Sequence, residues 1–124
     1  MQFNDSQAIY LQIAEFIEGK ILRKEWQADE RIPSVRDLAI SLEVNPNTVM
    51  RAYDYLQQQS VVYNQRGIGY FVSNEGLDLV LQVRRAQFLK KDLPEFFKNI
   101  ELMGFTIEEI INLYKQHSQD IKIA

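Results

Sequence analysis

The stretch Val44–Gln59 limits what this chain can become more than any other. Asn45 has the short polar side chain that caps a helix, and Pro46 suits the first helical position, where a missing N–H costs nothing. A helix therefore starts sharply here. Val49, Ala52, Tyr53 and Leu56 follow at i, i+3, i+4 and i+7, so they share one face and belong in a core. The opposite face carries Asn47, Met50, Arg51 and Asp54, and the first turn exposes amides and a hydroxyl where a positive helix end attracts phosphate. Asn and Arg make paired hydrogen bonds to adenine and guanine edges, and Thr48 suits a phosphate or a thymine methyl. A polar face of this kind is most often only solvated, so the surrounding segments decide.

The chain has 124 residues and ordinary apolar content, enough for one compact domain or a small domain with an appendage. It has no cysteine, which removes disulfides, thiolate zinc sites and a cysteine nucleophile. The start, Met1-Gln2-Phe3-Asn4-Asp5, lacks the pattern of a secretion signal, and no apolar run approaches a membrane span, so a cytoplasmic protein without membrane contact is expected. The single histidine, His117, lies in a polar tail, and no His, Asp and Glu cluster suggests a metal. No enzyme, catalytic residue, metal or cofactor is expected.

Net charge argues against nucleic acid, since 14 Lys and Arg face 17 Asp and Glu where a basic footprint is usual. Placement outweighs the sum, because only charges within about 8–10 Å of a phosphate act strongly on it. Arg31, Arg36, Arg51 and Arg66 all fall in or beside segments that would face DNA.

Taken in order, Ser6 is a candidate cap for a helix from Gln7 to about Arg23, with Ile9, Ile13, Phe16, Ile17 and Ile21 as its buried stripe. Residues 24–31 have no period and read as a connection pinned by Trp26. Ser34 caps a short helix, with Asp37 at the third position of an imperfect capping box and Val35, Leu38, Ala39 and Leu42 turned inward. Glu43-Val44 leads directly into the central helix, which makes a helix-turn-helix. Val61-Val62-Tyr63 and Ile68-Gly69-Tyr70-Phe71-Val72 are strand-like runs separated by Asn64-Gln65-Arg66-Gly67, a hairpin with Arg66-Gly67 at its tip. Helix, helix-turn-helix and hairpin form the order of a winged helix, the hairpin being the wing.

Residues 8–72 resemble the DNA-binding domain of the GntR family of bacterial transcriptional regulators. The likeness rests on Ile32-Pro33-Ser34-Val35-Arg36-Asp37-Leu38-Ala39, Val44-Asn45-Pro46-Asn47-Thr48-Val49, Arg51-Ala52-Tyr53 and Gly67-Ile68-Gly69-Tyr70-Phe71-Val72. The Asn-Pro-Asn-Thr-Val form and the short two-helix tail resemble the YtrA subfamily, whose members are implied to be homodimeric repressors. The resemblance implies DNA contacts at Ser34, Arg36, Asn45, Asn47, Thr48, Arg66 and Gly67, to which position alone adds Arg31 and Arg51. It also implies a double-stranded DNA partner and allows a small-molecule effector, which no residue pattern identifies. Lys24, Asp29 and Ser60 stand where such relatives usually have glycine, a change that bears on turns.

The expected fold is mainly α with a small β-hairpin: a winged helix-turn-helix over residues 1–74 and a C-terminal α-helical hairpin over 75–124. Residues 77–103 have a helical period, with Leu79, Val83, Ala86, Leu93, Phe97 and Ile100 on one side and Leu77, Leu81 and Phe88 widening it. Pro94 either kinks this run, the favoured reading, or follows an Asp92 cap that opens a second helix. Gly104 stops it, Thr106 with Glu109 boxes the start of a last helix bearing Ile107, Ile110, Ile111 and Tyr114, and the tail from His117 is expected to fray. So few residues bury little core alone, so a two-fold dimer through Leu77, Leu81, Phe88, Phe97, Ile100 and Ile111 is expected. The competing expectation is a winged helix used as a protein-interaction adaptor, which an acidic surface would suit.

Overall fold

The computed structural model describes residues Met1–Ile123, in two compact units. The first, Met1–Arg84, holds helices α1 (Ile9–Leu22), α2 (Val35–Leu42) and α3 (Pro46–Gln58), strands β1 (Val62–Gln65) and β2 (Gly69–Val72), and most of α4 (Gly76–Gln87). Residues 75–84 thus pack with the winged helix.

Both α1 and α2 pack on α3. Val49, Ala52, Tyr53 and Leu56 of α3 are each fully buried, as the periodicity required. From α1 come Ile13, Ala14, Ile17 and Ile21, and from α2 Leu38, Ala39 and Leu42, while Trp26 lies half-buried on the same cluster. Full burial of such a side chain contributes about 1.5–3 kcal/mol, so this one cluster dominates the stability of the unit. Ile9 departs from the expected stripe and is 45% exposed.

The first helix starts later than expected. Ala8, not Ser6, precedes it, and the Ser6 hydroxyl donates instead to the Asn4 side chain. Gln12 explains the difference. Its buried amide donates to the carbonyls of Asn4 (2.8 Å) and Gln7 (2.7 Å) and accepts from the Asn4 N–H (3.1 Å), holding the N-terminal arm in a non-helical path.

The wing is an antiparallel hairpin in which Val62 pairs with Val72 and Gln65 with Gly69, so Asn64 and Gln65 belong to β1 and only residues 66–68 turn. Two strands alone are marginal in water. Here the segment before α2 supplies an edge: Asp29 N–H donates to Val72 (2.8 Å), Val72 N–H to Glu30 (3.1 Å) and Ile32 N–H to Tyr70 (2.9 Å). The connection that has no sequence period is therefore bound by backbone groups, which leave no trace in residue type. Lys24, Asp29 and Ser60 all sit in the left-handed region, at φ of 62°, 62° and 63°. Glycine reaches that region at no steric cost, so these are positions where turn geometry is imposed on side-chain-bearing residues.

The second unit runs from Arg85 onward. Pro94 does not start a separate helix: Asp92 has α-helical angles and makes no cap, and the backbone passes from α4 through a π-helical turn, Phe88–Asp92, into α5 (Leu93–Met103). Leu93 N–H reaches back five residues to the Phe88 carbonyl, a wider turn that accommodates the ring of Pro94 and its missing donor. Gly104, at φ 76°, ends α5. Thr106 and Glu109 then form the reciprocal box, Glu109 N–H to Thr106 Oγ1 at 3.1 Å and Thr106 N–H to Glu109 Oε1 at 3.2 Å. Helix α6 (Ile107–Ile123) continues past His117 rather than fraying there.

Gly76, the first residue of α4, is buried, and a methyl group there would stand 2.8 Å from the Val61 carbonyl oxygen and 3.1 Å from Val72 Cγ1. Gly76→Ala is therefore expected to destabilise the protein by about 1–3 kcal/mol, read as a lower urea midpoint at unchanged slope. An unaltered midpoint would show that α4 is not seated on the wing in solution.

Candidate nucleic-acid interface

Two capped helices and a hairpin tip carry the residues singled out by the sequence. Ser34 Oγ accepts from Asp37 N–H (3.1 Å), which opens α2 and leaves the serine hydroxyl proton free to donate outward. Arg36 is exposed in the first turn of α2. The helix ends at Glu43, whose left-handed conformation (φ 57°, ψ 48°) reverses the chain, and Val44 N–H closes the turn on the Ala39 carbonyl (3.0 Å). Asn45 Oδ1 then accepts from Asn47 N–H at 2.8 Å with Pro46 at the first helical position. Asn45 is thereby occupied in capping, Asn47 projects outward, and Thr48 is half-buried.

Tyr53 fixes the angle between these helices. Its hydroxyl donates to the Pro33 carbonyl at 2.6 Å, reaching from the buried face of α3 to the residue before the α2 cap. Burial pushes its phenol well above the ordinary range, with smaller contributions from Tyr70 and Asp37, so it remains a donor. Tyr70 of β2 meets the Tyr53 ring edge-on (centroids 4.9 Å apart, planes at 79°) and points its hydroxyl at Met50 Sδ (3.8 Å). Wing, central helix and α2 are thus joined through two tyrosines, neither of which the sequence marked as part of a site.

At the wing tip, Arg66 is exposed and Gly67 has φ 80°, with Ile68 N–H donating to Gln65 (2.9 Å). Arg31 pairs with Phe71 across the edge of the wing, and its side chain crosses Gly69. A methyl group on Gly69 would come within 2.9 Å of Arg31 Nε, and the backbone there has φ 147°. The second glycine of the wing motif is therefore explained by the arginine lying over it.

Arg51 has another setting. Its guanidinium carbon lies 4.0 Å from the centre of the Tyr10 ring on α1. Among the described residues the ion pairs are Lys20–Glu25, Arg23–Glu25 and Glu18–Arg84, so Arg31, Arg36, Arg51 and Arg66 are all free of carboxylates.

Of the tail residues, Leu81, Phe88, Phe97 and Ile111 are 38–50% exposed, whereas Leu77 is half-buried against the winged-helix core and Ile100 is only 7% exposed. The first four are open apolar surface.

Residues 9–72 match the family model described as bacterial regulatory proteins, gntR family. The chain is 35% identical to the HTH-type transcriptional regulator YhcF of Bacillus subtilis (strain 168), over 95% of this chain and 96% of that protein. It is 29% identical to the HTH-type transcriptional repressor YtrA of the same organism, over 94% and 89% of the two chains. It is also similar to the crystal structure of a transcriptional regulator of the GntR family from Bacteroides thetaiotaomicron, at 45% identity and a TM-score of 0.71, covering 91% of this chain and 98% of that one.

Tyr53→Phe keeps the ring but leaves the Pro33 carbonyl without its donor. A loss of about 1–2 kcal/mol in unfolding free energy is expected, from the bond and the unsatisfied acceptor together. Full wild-type stability would show that this bond does not set the helix angle.

Proposed function

This chain belongs to the gntR family of bacterial regulatory proteins and is a DNA-binding transcriptional regulator, and we propose on that premise that it is a homodimeric repressor reading a pseudo-palindromic operator. The observation that supports this reading is that Arg31, Arg36, Arg51 and Arg66, borne by the wing, α2 and α3, are all exposed and take no part in the ion pairs among the described residues. Ser34, Arg36, Arg31, Arg66 and the Gly67 backbone are positioned for phosphates and groove walls. Asn45, Asn47 and Thr48 form the leading turn that enters the major groove. A protein-interaction adaptor would present an acidic or apolar recognition face, whereas here Arg31, Arg36, Arg51 and Arg66 are exposed and outside the ion pairs among the described residues. No helix of the described residues is long and apolar enough to cross a membrane, in keeping with a cytoplasmic regulator.

Dimerisation is supported by the apolar surface of the second unit, where Phe88, Phe97 and Ile111 stand 50%, 49% and 46% exposed. Monomers rarely leave so much open, and a two-fold axis would cover it by using one surface twice. Two recognition helices would then meet half-sites about 34–36 Å apart. An effector, if one acts, has a candidate place in a half-open cavity of about 300 Å³ lined by Ile21, Trp26, Leu77, Lys24 and Asp78.

Arg36→Ala and Arg66→Ala are each expected to weaken specific and random DNA binding alike and to lower the slope of log affinity against log salt by about 1. A folded variant with an unchanged slope would remove that residue from the interface. Charged substitution at both Phe97 and Ile111 is expected to give a monomer by light scattering, with a winged helix still folded and tight operator binding lost. A variant that remained dimeric, or a wild-type monomer that bound one operator tightly, would overturn the assembly.

A further inference from the structure

Asn47, Met50, Arg51 and Asp54 are the outward positions in the first turns of α3, and the sequence pattern alone makes Arg51 the obvious reader of guanine. The side-chain geometry divides them differently. Arg51 lies on the Tyr10 ring at 4.0 Å, and Tyr10 in turn meets Tyr55 edge-on, with centroids 6.2 Å apart and planes at 75°. Arg51 and Tyr55 are four residues apart and occupy the flank of α3 that faces α1. A guanidinium held by its face keeps its in-plane N–H donors available, but at the edge of the groove, where phosphates lie. Reaching a base from there would sacrifice the stacking, a cost of about 2- to 5-fold in binding.

Met50 lies on the side of α3 that faces the wing. It is 41% exposed, and its sulfur accepts from the Tyr70 hydroxyl at 3.8 Å, which steadies an otherwise pliable side chain at the root of the wing. The face left between the Arg51 flank and the wing carries Asn47 and, three residues on and nearer the wing, Met50, with Asp54 a turn behind them. Asn47 offers the donor and acceptor pair that matches adenine. Met50 offers an apolar, polarizable surface that has no partner for the two acceptors of guanine but fits a thymine methyl. Asp54, a turn further on, lacks any donor for guanine as well.

We infer that Met50, together with Asn47, reads an adenine–thymine step in each half-site, while Arg51, positioned by Tyr10, clamps the phosphate backbone and reads nothing. This rests on the DNA-binding role proposed above. The test begins with site selection from a random pool, using wild type, Met50→Ala, Met50→Arg, Arg51→Ala, Tyr10→Leu and Tyr10→Phe, each checked for folding by circular dichroism.

Wild type is expected to enrich an A·T step that Met50→Ala relaxes by about 5-fold or more and that Met50→Arg redirects toward guanine. Arg51→Ala and Tyr10→Leu are expected to recover the wild-type site at lower affinity, with the salt slope of Arg51→Ala reduced by about 1, and Tyr10→Phe to restore wild-type binding. Each thymine of the recovered site is then replaced by deoxyuridine, which removes the methyl alone. One position per half-site should cost wild type about 4-fold and Met50→Ala nothing. Equal sensitivity of the two proteins at every thymine, or a changed base preference in Arg51→Ala, would overturn the inference while leaving DNA binding intact. A wild-type protein that enriched no sequence would overturn the sequence-reading role itself, and this inference with it.

Discussion

A single buried phenol governs the geometry of the DNA-facing half. Tyr53 fills the core with its ring, ties α3 to the entry of α2 through the Pro33 carbonyl, and receives Tyr70 of the wing on its edge. Phenylalanine would fill the same volume without the hydrogen bond, and a smaller residue would lose the support for the wing. The residue therefore couples a stability requirement to a positional one. The core cannot loosen around it without changing the angle at which the outer face of α3 is presented.

The parts of the fold that periodicity and capping chemistry determine were legible in residue types alone. The α3 core face, the Ser34 and Asn45 caps and the Thr106–Glu109 box all stand where the sequence indicated. What escaped was set by backbone groups or by long-range packing. The edge added by Asp29–Ile32 uses only N–H and carbonyl groups, the displaced start of α1 depends on a glutamine reaching back to Asn4, and the stacking of Arg51 requires a tyrosine 41 positions earlier in the chain. For the candidate site, the residue types on the outer face of α3 were legible in the sequence, and their neighbours, Tyr10 against Arg51 and Tyr70 against Met50, were not. A face assigned by helical spacing has a width of about 100°, enough to hold side chains with different neighbours.

Electrostatically, three of the basic side chains are balanced by carboxylates beside them. Lys20 and Arg23 share Glu25 at the end of α1, and Arg84 of α4 pairs with Glu18 of α1. Burial raises the Glu18 carboxyl even against the opposing pull of Arg84, whose long side chain links α4 to α1.

The π-helical turn at Phe88–Asp92 has a geometric consequence for the tail. A turn closed five residues back holds one residue more than an α-helical turn, so every position after it is rotated by about 100° about the axis from where uninterrupted α-helical counting would put it. A stripe drawn at constant spacing from Ala86 to Leu93 and Phe97 thus joins side chains that point in different directions. The unusually broad apolar band of this tail is, in part, two narrow bands out of phase, and a partner helix following one of them would have to cross to the other at Pro94.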